Sequence, residues 1–335
     1  MAAIVLMAGC GNPQSSVPSA SSHVPGPLGD TWTWDGVAWN QAPRAGPSAR
    51  YGAAIAFDAA HNNYVLFGGQ TANGASDETW TWDGSRWSEM SPTHKPGARQ
   101  LTTMAYDPGQ KLVVLYGGLI QTLAEGAPAS DTWTWDGSDW TEVTATDAVP
   151  GQRIGARMVT ASTGVILFGG SLAPNSDFFA DAWKWMDGKR WARIDGSPTP
   201  EGRSNAAVAW DMVESSLFVV GGTGLNAEAA GGALGRPLAD AWSLKNGRWN
   251  RIDGSGPPAL AQANAIWDEN SQRVLVLFGM SGTACPSPTN ALWTWDEAKW
   301  SRLPDLTVPH RWGAAVAEDD TGKALVFGGS DEPGC

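Results

Sequence analysis

Long apolar runs, charge and histidine are all in short supply in this chain. No stretch reaches the roughly 18 to 20 apolar residues that a bilayer-spanning helix needs. Charged residues make up only 17% of the 335, and the 22 basic ones form no run among the 34 acidic. With a net charge of −12, nucleic acid and anionic membrane surfaces would be repelled on average, which excludes both as expected partners. There are four His in all, and no metal-ligand spacing, nucleophile elbow or phosphate-cradling loop occurs. No metal or other cofactor is therefore expected.

Glycine and tryptophan are abundant instead, at 41 and 20 residues. That much glycine between short apolar runs points to many strands and turns rather than helices. The first residues stand apart from this pattern. Ala2 to Ala8 form an apolar run that ends in Gly9-Cys10 and is followed by the polar stretch Gly11 to Ser22. The run resembles the end of a bacterial lipoprotein signal, although it lacks the basic segment that opens such a signal. The resemblance implies a lipid anchor at Cys10, a flexible linker over 11–29 and an extracytoplasmic position on a bacterial cell envelope membrane. A frayed apolar terminus with an incidental Cys is the alternative.

Internal self-similarity decides the architecture. The segment Tyr64-Val65-Leu66-Phe67-Gly68-Gly69 returns at Leu112 to Gly118, Val165 to Gly170, Leu217 to Gly222, Val274 to Met280 and Ala324 to Gly329. These six copies lie about fifty residues apart, and each leads to a Trp-containing strand. A further Trp falls seven residues after the first in five copies: Trp32/Trp39, Trp80/Trp87, Trp133/Trp140, Trp242/Trp249 and Trp293/Trp300. In the sixth, Trp183/Trp191, there is one extra residue. Each unit divides into four strands, with small residues such as Ala53 and Ala54 on the first. The second strand is apolar on both faces, and the third alternates as Trp-Thr-Trp. A tight Asp-Gly turn leads to the fourth. A lone sheet of this kind cannot bury both faces, whereas radially stacked sheets can.

Diglycine after an apolar strand, then an aromatic, then a Trp seven residues on, resembles the kelch repeat. The resemblance covers residues 30–335 and implies an all-β, six-bladed β-propeller. The family's usual Tyr is replaced by Trp32, Trp80, Trp133, Trp183, Trp242 and Trp293, which keeps the packing role. The unit begins at Asp30 with third and fourth strands and ends at Ser330 after first and second strands. The two ends are thus expected to share one blade, which closes the ring and removes two open sheet edges.

Five repeats carry Arg just before the first strand and Asp at the start of the third. The expected pairs are Arg50–Asp77, Arg99–Asp131, Arg153–Asp181, Arg203–Asp240 and Arg311–Asp30. The remaining repeat has Leu260 and Asn290 instead, so charge is lost at both places together. Joint loss favours structural pairs within each blade over an anion-binding ring, because one partner alone would be an uncompensated charge.

The loops after the diglycines differ widely, and variable loops on a rigid scaffold are where sites lie. Tyr51, Trp312, His94 and His310 fall on the expected loop face. Tyr51 and Trp312 stand where other repeats have Gln100, Ile154, Ser204 and Ala261. They could stack on a sugar or grip a peptide, or simply pack on adjacent loops. Galactose oxidase is a kelch relative, but its copper ligands have no counterpart here. His61, His94 and His310 are scattered, and all four Tyr lie between residues 51 and 116. Sialate mutarotases share the six-bladed scaffold, and loop carboxylates such as Glu125, Asp177 and Glu228 leave a carbohydrate-active enzyme as the alternative. No paired general acid and base is evident among them. Cys285 and Cys335 fall in equivalent loops of adjacent repeats, and a disulfide between them would staple the closing half-blade if the protein is exported. The expectation is therefore a monomeric binding or scaffold module for a protein or carbohydrate ligand.

Overall fold

A computed structural model describes residues 25–121, 126–144, 148–174, 176–225, 235–282 and 286–333. The expectations for residues 1–10 with Cys10, for most of the linker, for Cys285 and Cys335, and for Glu125 and Glu228 fall outside that set. The described residues contain strands and turns but no helix, and so no helix long and apolar enough to cross a membrane.

Six four-stranded antiparallel sheets make up the body, each with its strands in the order inner, second, third, outer. We number them as blades by their inner strands: Ala54–Asp58, Thr103–Asp107, Arg157–Ala161, Ala207–Asp211, Asn264–Asp268 and Ala315–Glu318. Each inner strand packs beside those of the blades before and after it, and blade 6 returns to blade 1. Blade 6 is built from both chain ends. Its third strand, Thr31–Trp34, pairs with Ala324–Phe327 in the register Trp32 to Val326. The ring is therefore closed by main-chain hydrogen bonds between residues about 290 positions apart, and no blade is left with an open side.

The hydrophobic core is divided into six clusters, and every one is shared by two neighbouring blades. The cluster between blades 6 and 1 joins Leu325 and Phe327 to Leu66, Trp82 and Trp87. Burying a side chain of this size stabilises by about 1.5–3 kcal/mol. Since each blade supplies only half of two clusters, that stabilisation is realised only when both neighbours are in place.

The tryptophans sort by position. At the start of the outer strands, Trp87, Trp140 and Trp191 donate from Nε1 to Thr31, Thr79 and Thr132 of the preceding blade, at 2.9, 2.9 and 3.1 Å. Blades 3 to 5 carry Ala182, Ala241 and Leu292 at the position of those threonines, and their contacts with the next Trp are apolar.

The blade 5 repeat is displaced by one residue from its expected alignment. Its second strand is Arg273–Leu277, so Phe278 and Gly279, not Gly279 and Met280, occupy the diglycine positions. The first of these positions has a positive φ and no room: a Cβ on Gly328 would lie 2.4 Å from the Arg50 carbonyl oxygen. Phe278 nevertheless adopts φ +63° there, a conformation that costs a non-glycine residue about 1–3 kcal/mol. Its ring is fully enclosed in a cluster with Leu306 and Val308, which offsets the strain.

Candidate functional site

Two residues after each blade's Arg position, the chain turns through a left-handed residue: Gly52, Leu101, Gly155, Asn205, Gln262 and Gly313, all with φ between +51° and +64°. In that conformation each amide points toward the carbonyl of the preceding blade. Leu101 donates to Gly52, Gly155 to Leu101, Asn205 to Gly155, Gln262 to Asn205, Gly313 to Gln262, and Gly52 to Gly313. The bonds run from 2.7 to 3.4 Å and close head to tail, so a single ring of backbone girdles one end of the channel.

Outside this ring lie the arginines. Arg50, Arg99, Arg153, Arg203 and Arg311 are at most 1% exposed. Each donates to the carbonyl of its own blade's first glycine and to a carboxylate of the same blade. Arg99–Asp131, Arg203–Asp240 and Arg311–Asp30 are two-pronged, with every distance between 2.7 and 2.9 Å. Arg153 reaches both oxygens of Asp181 at 2.8 and 3.1 Å. Arg50 departs from expectation: it bonds Glu78, while Asp77 pairs with Lys95 at 2.8 Å. The reason is register. The carboxylate must stand two residues before the third-strand Trp, because that indole Nε1 donates to it as well. Trp32, Trp80, Trp133, Trp183 and Trp242 do so to Asp30, Glu78, Asp131, Asp181 and Asp240. In blade 5 the same place is Ala291, not Asn290, whose amide bonds the Leu306 carbonyl instead.

Burial by itself would raise the carboxyls of Asp30, Asp131 and Asp240. The Arg hydrogen bonds and charge, with the Trp donor, outweigh it and hold all three below the usual carboxylate range. Five enclosed guanidinium groups with this many partners are fastenings between strands. They are not free to receive an anion.

Tyr51 and Trp312 precede the ring residues Gly52 and Gly313, so ring closure brings them together from opposite ends of the chain. Their rings lie 5.0 Å apart, tilted by 54°, and both are partly exposed. The Trp312 indole is steadied by a 2.8 Å bond to the Glu332 carbonyl. Burial first, and the Glu332 charge second, raise the Tyr51 hydroxyl above its ordinary range, so Tyr51 stays a neutral donor. His310 is exposed nearby in sequence. His94 is not with them: its ring and amide bond Asp139, in the tight turn between the third and outer strands of blade 2. His61 is likewise held by Asp58 in the first turn of blade 1. Asp177 lies on a short strand, Ser176–Phe178, above blade 3.

The channel itself is a cavity of about 390 Å³ lined by the inner strands of all six blades. Its wall begins next to the hydrogen-bonded ring, at Ala53, Thr102, Ala206, Ala263 and Ala314. It ends at the opposite face among Ala59, Met212, Glu269, Asp319 and Asp320. Tyr51 and Trp312 do not line it. The cavity opens on the face of the short turns. There the turn acids are spent on the backbone: Asp58, Asp107, Asp211, Asp268 and Asp319 accept amides two to four residues ahead.

Sequence reasoning passed over the polar residues on the inner strands: Arg157, Asn264, Thr160 and Glu318. All four line the cavity. Thr160 exchanges bonds with the Tyr106 backbone at 2.9 and 3.0 Å, and Glu318 accepts a 3.5 Å bond from the Trp267 amide. Burial, with Asp319 adding repulsion, pushes the Glu318 carboxyl up to about 7. An acid raised in the folded state binds its proton more tightly there, so it stabilises the fold at low pH. That contribution fades as pH climbs from about 4.5 to about 7. Glu318→Gln should remove it, flattening stability across that window by on the order of 1–3 kcal/mol, as read from urea midpoints at pH 5 and pH 8. An unchanged slope in the variant would show that Glu318 titrates normally.

Among the described residues no group of three His, Cys, Asp or Glu is gathered as a metal site. No curated protein matches the chain. A family model, the KLHDC2/KLHL20/DRC7 Kelch-repeats domain, matches residues 28–222, which runs from the closing strands of blade 6 through the first two strands of blade 4. The family model covers more than half of the chain, the four-stranded sheets continue beyond it, and blade 6 repeats the buried arginine and diglycine at Arg311 and Gly328-Gly329; the chain belongs to the kelch-repeat family.

Proposed function

We propose that this protein is a non-catalytic binding module, displayed outside a bacterial cell by a lipid on Cys10, with a protein or glycan partner on its loop face. Kelch-repeat domains are protein-interaction propellers, and the scaffold here is complete while no acid–base pair or metal cluster is assembled among the described residues. The observation that carries the choice of face is the Tyr51–Trp312 pair. Two large aromatics stand together, partly exposed, on a rigid ring where three other blades offer Gln100, Ser204 and Ala261. Such a pair supplies contact area at low entropic cost, the property that makes Tyr and Trp dominate binding surfaces. His310 lies two residues before Trp312 and is exposed.

A glycan array and a surface-displayed peptide library, both probed with residues 25–335, would identify a ligand. Tyr51→Ala with Trp312→Ala should then weaken the best hit by at least about tenfold, with circular dichroism unchanged. Undiminished binding by the folded double variant would remove this face as the site.

A further inference from the structure

The channel holds one feature that its structural role does not use. Five of the six buried or half-buried arginines near the core are fully committed to carboxylates and carbonyls. Arg157 is the exception. It stands on the innermost strand of blade 3, at the level of Ala54, Thr103, Ala207, Asn264 and Ala315 in the other blades. Its Nε donates to the Ala206 carbonyl of blade 4 at 3.3 Å, and neither Nη has an acceptor among the described residues. Burial alone lowers its pKa, to about 10, and no carboxylate lies close enough to oppose this, so Arg157 remains a cation without a counter-ion.

At the same level, one blade beyond Ala207, the Asn264 amide nitrogen is enclosed and also lacks an acceptor. The half-buried Arg157 fork faces the cavity without an acceptor, and the Asn264 amide at the same level lacks one too; buried polar groups are normally matched, so together they mark a missing acceptor. We propose that this end of the channel is a binding site for a small monocarboxylate, held by Arg157 and Asn264.

The ligand class follows from the chemistry of the wall. A carboxylate only accepts hydrogen bonds, and its two coplanar oxygens match the guanidinium fork. Between the two polar ends, Met104, Met158 and Val208 with the surrounding alanines supply apolar wall, suited to a hydrocarbon body. The other end, three residues or about 10 Å along the strands, presents Glu318, and beyond it Glu269, Asp319 and Asp320. A second negative charge would have to enter past and sit facing these acids. Dicarboxylates and phosphates are therefore disfavoured, and a single carboxylate with an apolar tail is selected. The site is separate from the Tyr51–Trp312 face, since those residues do not line the cavity.

The test uses hexanoate and benzoate as probes, with succinate and inorganic phosphate as counter-probes, on residues 25–335. Saturation-transfer NMR and calorimetry at pH 7.5 should show saturable binding of at least one monocarboxylate and at least about tenfold weaker binding of both dianions. Arg157→Met should abolish the binding while leaving the Tyr51–Trp312 face able to bind its own partner. Asn264→Ala, which leaves the cation in place, should weaken it by about three- to tenfold and decides the matter if Arg157→Met does not fold. The proposal is overturned if neither monocarboxylate saturates, if phosphate or succinate binds as well as they do, or if the folded variants bind like the parent.

Discussion

A chain that stops at residue 310 is expected not to fold at all. Such a truncate keeps five complete sheets, so by local inventory it should lose only one blade. The losses, however, are concentrated where the ring closes. Without Ala315–Glu318 and Ala324–Phe327, the strands Thr31–Trp34 and Trp39–Gln41 have no partner on their inner side. Asp30 loses Arg311, and the backbone ring is cut at Gly313, which leaves the Gly52 amide without its acceptor. Two of the six shared core clusters lose their blade 6 halves together, exposing Trp82, Trp87, Leu277 and Phe278. Four buried large side chains at about 1.5–3 kcal/mol each are comparable with the whole 5–15 kcal/mol by which domains are stable. Far-ultraviolet dichroism and gel filtration of residues 25–310 should show an expanded chain without a cooperative melt. A monomeric truncate that melts sharply would mean that the blades are stable in an open arc.

The part of this fold visible in the sequence is the part that repeats. A strand that must be apolar on both faces and then turn left-handed leaves a constant signature, and Val65-Leu66-Phe67-Gly68-Gly69 announces it. Register failed at two places for physical reasons. Asp77 and Glu78 are both acidic and adjacent, so composition cannot say which meets Arg50; the indole that donates two residues ahead decides for Glu78. In blade 5, Phe278-Gly279-Met280 imitates a Phe-Gly-Gly ending, and only the backbone shows that Phe278 has taken the first glycine position. The backbone ring was not legible because Gly, Leu, Asn and Gln share no side-chain property; what unites residues 52, 101, 155, 205, 262 and 313 is a positive φ. Arg157 was legible in principle. Once the inner strands are aligned, it is the one long cation among alanines, Thr103 and Asn264.

The second large effect concerns the arginines, and blade 5 states its terms. That blade closes without an ion pair, by placing Leu260, buried in the core shared with blade 4, and Ala291 where the others have Arg and an acid. Elsewhere the two members of each pair depend on one another. Arg203→Leu leaves Asp240 partly buried without its counter-ion, held by the Trp242 indole and its own backbone amide, and the change should cost about 3–5 kcal/mol. Asp240→Ala leaves an enclosed guanidinium that still holds the Glu201 and Gly221 carbonyls, with a cost of the same order. The two together remove both charges and imitate blade 5, so the double variant should be more stable than the sum of the singles predicts, by at least about 2 kcal/mol. The pH dependence follows from the same pairs. Asp30, Glu78, Asp131 and Asp240 are held below their ordinary range when folded, so their contribution is complete above the unfolded carboxyl pKa of about 4 and is lost as pH falls below it. Urea titrations of the four proteins at pH 7 and pH 3.5 separate the possibilities. Coupling at pH 7 that shrinks at pH 3.5 identifies mutual dependence of the charges. Strictly additive single effects at pH 7 would mean that each arginine acts through its carbonyl bonds alone, and that the joint loss of charge in blade 5 carries no mutual dependence.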